Sequence, residues 1–119
     1  MRLKHRDLRV WQESMNLVKL VYKATDLLPA KECFGLSAQM RRAAVSIPCN
    51  IAEGSARNAK TQFLQFLFFA RGSLSELETQ VLIAQELEYL PDIKELEESV
   101  EKVFAMFSAL IHSLKRKDS

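Results

Sequence analysis

Arg42, Ser46, Asn50, Glu53 and Arg57 recur at spacings of 4-4-3-4. On a helix that spacing makes one continuous polar line. Arg71 and Glu78, seven apart in a second helical stretch, form a comparable line. Two such lines on neighbouring antiparallel helices face each other, so Arg42 and Arg71 are expected to be held by Glu53 and Glu78 through charge-assisted hydrogen bonds. The chemistry on offer is acid–base work by two carboxylates beside an arginine anion clamp. The rest of a catalytic apparatus is missing. His5 and His112 lie in or near the tails, no nucleophile sits beside a base, and no Glu-x-x-His pair of the di-iron kind occurs. Cys33 and Cys49 are too few for a disulfide framework or a zinc site, and Cys33 has no evident cationic partner to activate it. We therefore assign no catalytic, cofactor-binding or metal residue. Arg42, Ser46, Asn50, Glu53, Arg71 and Glu78 are read as a structural polar network that sets helix register, ahead of a binding surface.

A second set of residues could act through charge. Net charge is only +2, but seven basic residues lie in the two tails: Arg2, Lys4, Arg6, Arg9, Lys115, Arg116 and Lys117. Residues 10–114 carry 10 basic and 13 acidic side chains, a net of −3. In an up-down-up-down bundle both tails meet the connection near 55–59, which adds Arg57 and Lys60. The other end receives Glu86, Glu88, Asp92, Glu95, Glu97 and Glu98. The topology thus predicts a basic pole and an acidic pole. Arg2, Lys4, Arg6, Arg9, Arg57, Lys60, Lys115, Arg116 and Lys117 are the candidate nucleic-acid contacts, touching phosphates. Against this stands the plainer reading, in which the same cations complement the C-terminal dipole of the last helix and keep the tails solvated.

The elements that position both sets are helical. Leu8, Trp11, Met15, Val18, Tyr22 and Thr25 follow a 3-4-3-4-3 spacing in a first helix over about 7–28, with Asp7 as N-cap and Pro29 beyond its end. Val10, Leu17, Val21 and Leu28 run beside that seam as a second stripe. A second helix, about 35–54, carries Leu36, Met40, Ala43, Ile47, Ile51 and Gly54 on one face, with a kink expected at Pro48. A third, about 60–90, carries Phe63, Phe66, Leu67, Ala70, Leu74, Leu77, Val81, Ala84 and Leu87 and is stopped by Pro91. The fourth, about 92–115, has the cleanest seam: Ile93, Leu96, Val100, Val103, Phe107, Leu110 and Leu114. Gly72 in mid-helix reads as a site of close helix approach. Phe68 and Phe69 fall off the third seam and, with the extra stripe of the first helix, suggest self-association. Trp11 and Tyr22, on the seam, read as packed rather than as base-stacking platforms.

Composition agrees with a single all-α domain over residues 1–119, an up-down-up-down antiparallel four-helix bundle. The chain is 48% hydrophobic and 27% charged, which argues against disorder, and three Gly with three Pro are too few turn residues for a β-sandwich or barrel. No apolar run is long enough to span a membrane, and the basic N-terminus lacks the apolar stretch of a signal peptide. A reduced, cytoplasmic protein is expected.

Three stretches carry a family likeness: residues 8–15, residues 46–54 followed by Arg57, and residues 70–80. Together they resemble the 23S rRNA intervening-sequence protein family, also called the four-helix-bundle protein family, from about residue 6 to 115. The resemblance implies a bundle assembled as a ring-shaped homo-oligomer, a homopentamer, without enzymatic activity. Members are similar to proteins encoded within insertions of bacterial 23S rRNA genes. They are also related to the accessory proteins of diversity-generating retroelements, basic pentameric barrels that bind nucleic acid and a reverse transcriptase. With a net charge of +2 this chain departs from those strongly basic relatives, and its nucleic-acid affinity rests on the poles. Two functions follow as expectations. One is an RNA-associated ring that touches phosphates of structured RNA without reading sequence. The alternative is a scaffold that docks a basic protein partner on the acidic pole.

Overall fold

The computed structural model describes residues 4–116, the side chain of Lys4 excepted. A 3-10 turn at Lys4–Asp7 leads into α1 (Arg9–Thr25), and a second turn at Ala30–Glu32 leads into α2 (Leu36–Ser55). Then follow α3 (Lys60–Glu86) and α4 (Lys94–Arg116), and no strand occurs among the described residues. The helices pack in a cycle: α1 on α2, α2 on α3, α3 on α4, and α4 back on α1. At 48 × 25 × 19 Å the molecule is a rod, so its two ends are separate surfaces.

Three helices bury most of the faces their periodicity marks, although Leu36 of α2 and Phe63 and Phe66 of α3, expected on those faces, are only half-buried. In α2 these are Met40, Ala43, Ile47, Ile51 and Gly54; in α3, Leu67, Ala70, Leu74, Leu77, Val81 and Ala84. Pro48 lies buried inside α2, which continues across it. In α4 the seam holds to Phe107 and then passes to Ile111, leaving Leu110 half-buried. A 3-4 repeat drifts around a 3.6-residue helix, and the next inward position moves on by one residue.

The first helix corrects its expected seam. Val10, Ser14, Leu17, Val21 and Thr25 face inward, while Met15 and Tyr22 are 39% and 41% exposed and Trp11 is half-buried. The second stripe of Val10, Leu17 and Val21 is thus the core face, with Ser14 in the gap of its apolar spacing; the Ser14 hydroxyl donates to the Val10 carbonyl at 2.6 Å and so enters the core with its polar group satisfied. Asp7 is not the N-cap. Leu8 holds that position in extended backbone, with no side-chain cap, because the chain before it is already wound into the 3-10 turn.

The end of α3 is also earlier than Pro91 suggests. The Tyr89 amide donates to the Ala84 carbonyl and the Glu88 amide to the Gln85 carbonyl, both at 2.9 Å. This is the paired closure of a Schellman motif, and it places Glu88 at φ 64°, the left-handed region that favours glycine. Leu87, expected in the seam, is 51% exposed as a result.

The glycines exchange roles. A Cβ on Gly54 would stand 2.6 Å from the Phe66 Cβ and 3.1 Å from Phe63 Cδ1, whereas one on Gly72 would meet nothing within 4 Å. Close helix approach therefore happens at Gly54, and the expectation for Gly72 is overturned. Gly54→Ala is expected to destabilise the fold by about 1–3 kcal/mol through overpacking. Gly72→Ala should stabilise it by about 1 kcal/mol through helix propensity. Urea denaturation of the two variants checks both signs, and shifts in the same direction would contradict this packing.

Candidate nucleic-acid interface

Helix ends decide where the cations go. The α4 carbonyls near its C-terminus have no partner within the helix and carry partial negative charge. Lys60, at the start of α3, answers this by donating to the Leu114 carbonyl at 3.1 Å. The same contact joins the start of α3 to the end of α4. A cavity of about 260 Å³ beside it is lined by Leu8, Ser55, Arg57, Asn58, Ala59, Lys60, Phe63 and Leu114. The N-terminal segment, the α2–α3 connection and the end of α4 thus share one end of the rod, with exposed Arg6, Arg9, Arg57, Lys115 and Arg116 around it. Arg2 and Lys117 lie outside the described residues, as does the side chain of Lys4.

Two of these cations, and Arg71 of α3, rest on aromatic rings. Arg57 lies 5.0 Å from the Phe66 ring centre and also bonds Glu53 at 2.9 Å. Arg71 and Lys115 both lie over Phe68, at 5.1 and 5.3 Å. Attraction between a cation and a ring face holds each side chain in a defined place.

The polar line behaves differently from its expected form. Glu53 is engaged by Arg57 one turn on, not by Arg42, and Arg71 turns to Phe68 rather than to Glu78, which is exposed. Ser46 and Asn50 bond back into α2, to the carbonyls of Ala43 and Ser46, each at 2.8 Å. Arg42 and Ser46 instead line a polar groove of about 550 Å³ between α2 and α3 with Gln39, Ala43, Ser73, Glu76 and Gln80. The Gln80 Oε1 is buried there without a hydrogen-bond partner. Ser73, Glu76 and Gln80 are not among the residues expected here, although their spacing of three and four marks one helix face. Glu78, seven residues from Arg71, shares the Arg71 side of α3 and not the side that lines this groove.

A side-chain bond between two connections clasps the opposite end. The Tyr89 hydroxyl donates to Glu32 Oε2 at 3.0 Å, tying the α3–α4 connection to the α1–α2 connection. The other oxygen, Oε1, accepts the Leu36 amide at 3.1 Å and caps the start of α2. The bond from the Leu36 amide first, and the Tyr89 hydroxyl second, hold the Glu32 carboxyl below its ordinary pKa. The same carboxylate pushes the Tyr89 phenol up. Nearby, Arg41 bonds Thr25 and Asp26 at 2.7 and 2.9 Å and lies 4.5 Å over Tyr22. Glu86, Glu88, Asp92, Glu95, Glu97 and Glu98 are all exposed, as are Leu27 at 70% and Phe34 at 95%.

Among the described residues no three His, Cys, Asp or Glu gather as metal ligands, and no helix is long and apolar enough to cross a membrane. Cys33 and Cys49 are free and exposed.

The sequence profile of the 23S rRNA-intervening sequence protein family matches residues 6–109. The chain belongs to that family. No curated protein matches it.

The clasp between Glu32 and Tyr89 makes stability depend on pH at both extremes. Glu32 is shifted down, so its contribution is present above the ordinary carboxylate range and lost as pH falls through the lowered pKa. Tyr89 is shifted up, so its contribution is present below the ordinary phenol value and lost as pH rises through the raised pKa. Melting temperatures recorded against pH should show Tyr89→Phe flattening the alkaline limb. The acid limb should persist in that variant, because Glu32 keeps its bond to the Leu36 amide. An alkaline limb identical to wild type would rule the clasp out.

Proposed function

We propose that this member of the 23S rRNA-intervening sequence protein family is a non-enzymatic, cytoplasmic, nucleic-acid-binding protein that contacts structured RNA through its basic end without reading base sequence. In this reading the four helices run up-down-up-down, antiparallel, and copies assemble into a ring, a homopentamer by family resemblance. The observation that carries it is the convergence at the Lys60–Leu114 contact, which gathers Arg57, Lys115 and Arg116 near the start of α1. A phosphate backbone meets such a surface as a row of charges, and a ring of copies multiplies the row. Exposed Met15 and Tyr22 on α1 supply apolar surface for assembly.

A second reading is favoured by Phe34. An aromatic side chain 95% exposed at the acidic end has the character of an anchor for a protein partner whose apolar pocket is rimmed by basic residues. That reading makes the protein a scaffold, and charge reversal at Glu95, Glu97 and Glu98 would release the partner.

Salt titration separates the two. RNA affinity should fall steeply with salt. Neutralising Arg9, Arg57, Lys115 and Arg116 should make the log–log slope shallower by about 0.7–0.9 for each phosphate contact removed. Fluorescence anisotropy with a structured RNA measures both quantities. Binding that ignores salt, or survives the neutralisation, rejects the basic end as the RNA surface.

A further inference from the structure

Along α3 each residue advances by about 100° around the helix axis. Leu67 is fully buried, so Phe66 and Phe68 flank it on either side and Phe69 points away from the core. Phe69 is 51% exposed, and Phe66 meets it edge-on at 5.7 Å between ring centres, with their planes at 89°. That contact props the Phe69 ring from the Phe66 side. Phe66 carries Arg57, and Phe68 carries Arg71 and Lys115. Among the described residues Arg71 and Lys115 have no carboxylate partner.

Gly72 leaves the surface beside the ring bare. A helical side chain covers the turn N-terminal to its own Cα, so any side chain at residue 72 would lie toward Phe68 and Phe69. Gly72 puts nothing there, and a Cβ built on it meets open space. A mid-helix glycine lowers helix stability and makes no close helix contact here, so its visible consequence is a bare surface one turn from an exposed ring.

We infer that Phe69, left uncovered by Gly72 and bracketed by Arg57, Arg71 and Lys115, is a stacking platform for an unpaired base of a nucleic-acid strand whose phosphates those cations hold. This rests on the reading of the basic end as an RNA surface and deepens it: the favoured substrate is RNA with unstacked bases, in loops, bulges or single strands, over continuous duplex. Every base has a π-face, so the platform adds affinity without sequence choice. Phe68 acts as a pedestal, holding Arg71 and Lys115 in place before a strand arrives and reducing the side-chain ordering that binding demands. Self-association through the same face, the meaning its phenylalanines suggest in isolation, would desolvate the three cations against a different surface of the next copy in a ring.

The test compares oligoadenylate with a blunt RNA duplex of equal phosphate count, by fluorescence anisotropy at one salt concentration. Phe69→Ala and Phe69→Leu should each weaken oligoadenylate binding by about tenfold or more, and leave the duplex unchanged. Leu retains apolar area without a π-face, so its loss identifies stacking, and Phe69→Trp should restore affinity. Gly72→Gln should weaken oligoadenylate binding selectively while the helix is retained by circular dichroism. If wild type binds both RNAs and the Phe69 variants bind oligoadenylate equally well, the platform is overturned and the basic-end reading stands. If wild type binds neither, both fall. A lower assembly mass for Phe69→Ala in light scattering would place the ring between copies and overturn the platform.

Discussion

Between Gly54 and Phe66 there is no room for a methyl group, since a Cβ at residue 54 would stand 2.6 Å from the Cβ of Phe66. The last turns of α2 therefore lie directly on the first turns of α3, with Ile47 and Ile51 of α2 and Leu67 and Ala70 of α3 fully buried. Ala43 and Ala44 keep the earlier turns of α2 thin as well. This approach fixes how α3 is rotated about its own axis. Once Leu67 is held inward, the positions of Phe66, Phe68 and Phe69 follow from helix geometry alone. Buried packing at one glycine thus determines which aromatic rings meet solvent and which cations can rest on them.

How much of this the residues disclose in advance depends on whether a position's role is local. The seams of α2 and α4 are uninterrupted apolar repeats, and they are legible because periodicity reports burial directly. In α1 two stripes offset by one residue compete. Ser14 interrupts the true one, so the stripe with the larger side chains looks better than it is. Helix α3 stops where Glu88 accepts a backbone conformation that usually calls for glycine, a choice no residue type announces. Gly54 and Gly72 look alike in sequence, and only the neighbouring helix tells them apart. Among the polar residues, membership of a line is readable from spacing, but the partner is not. Glu53 takes Arg57 at one turn's distance because a contact within a helix needs no help from another element.

Placement of the basic end follows from helix electrostatics as much as from the tails. The terminal carbonyls of α4 would draw the nearest cation, and Lys115 is close at hand in the same turn. Lys60 takes the Leu114 carbonyl from across the α3–α4 interface, and the Lys115 ammonium lies over Phe68 instead. A cation on a ring face keeps its charge available to a phosphate while giving up part of its conformational freedom in advance. A cation spent on a helix terminus does neither. Division of labour between Lys60 and Lys115 meets a structural requirement of α4 and leaves a cation ordered on the α3 flank. It also accounts for a chain whose residues 10–114 are net acidic yet which presents ordered positive charge on one flank of one end.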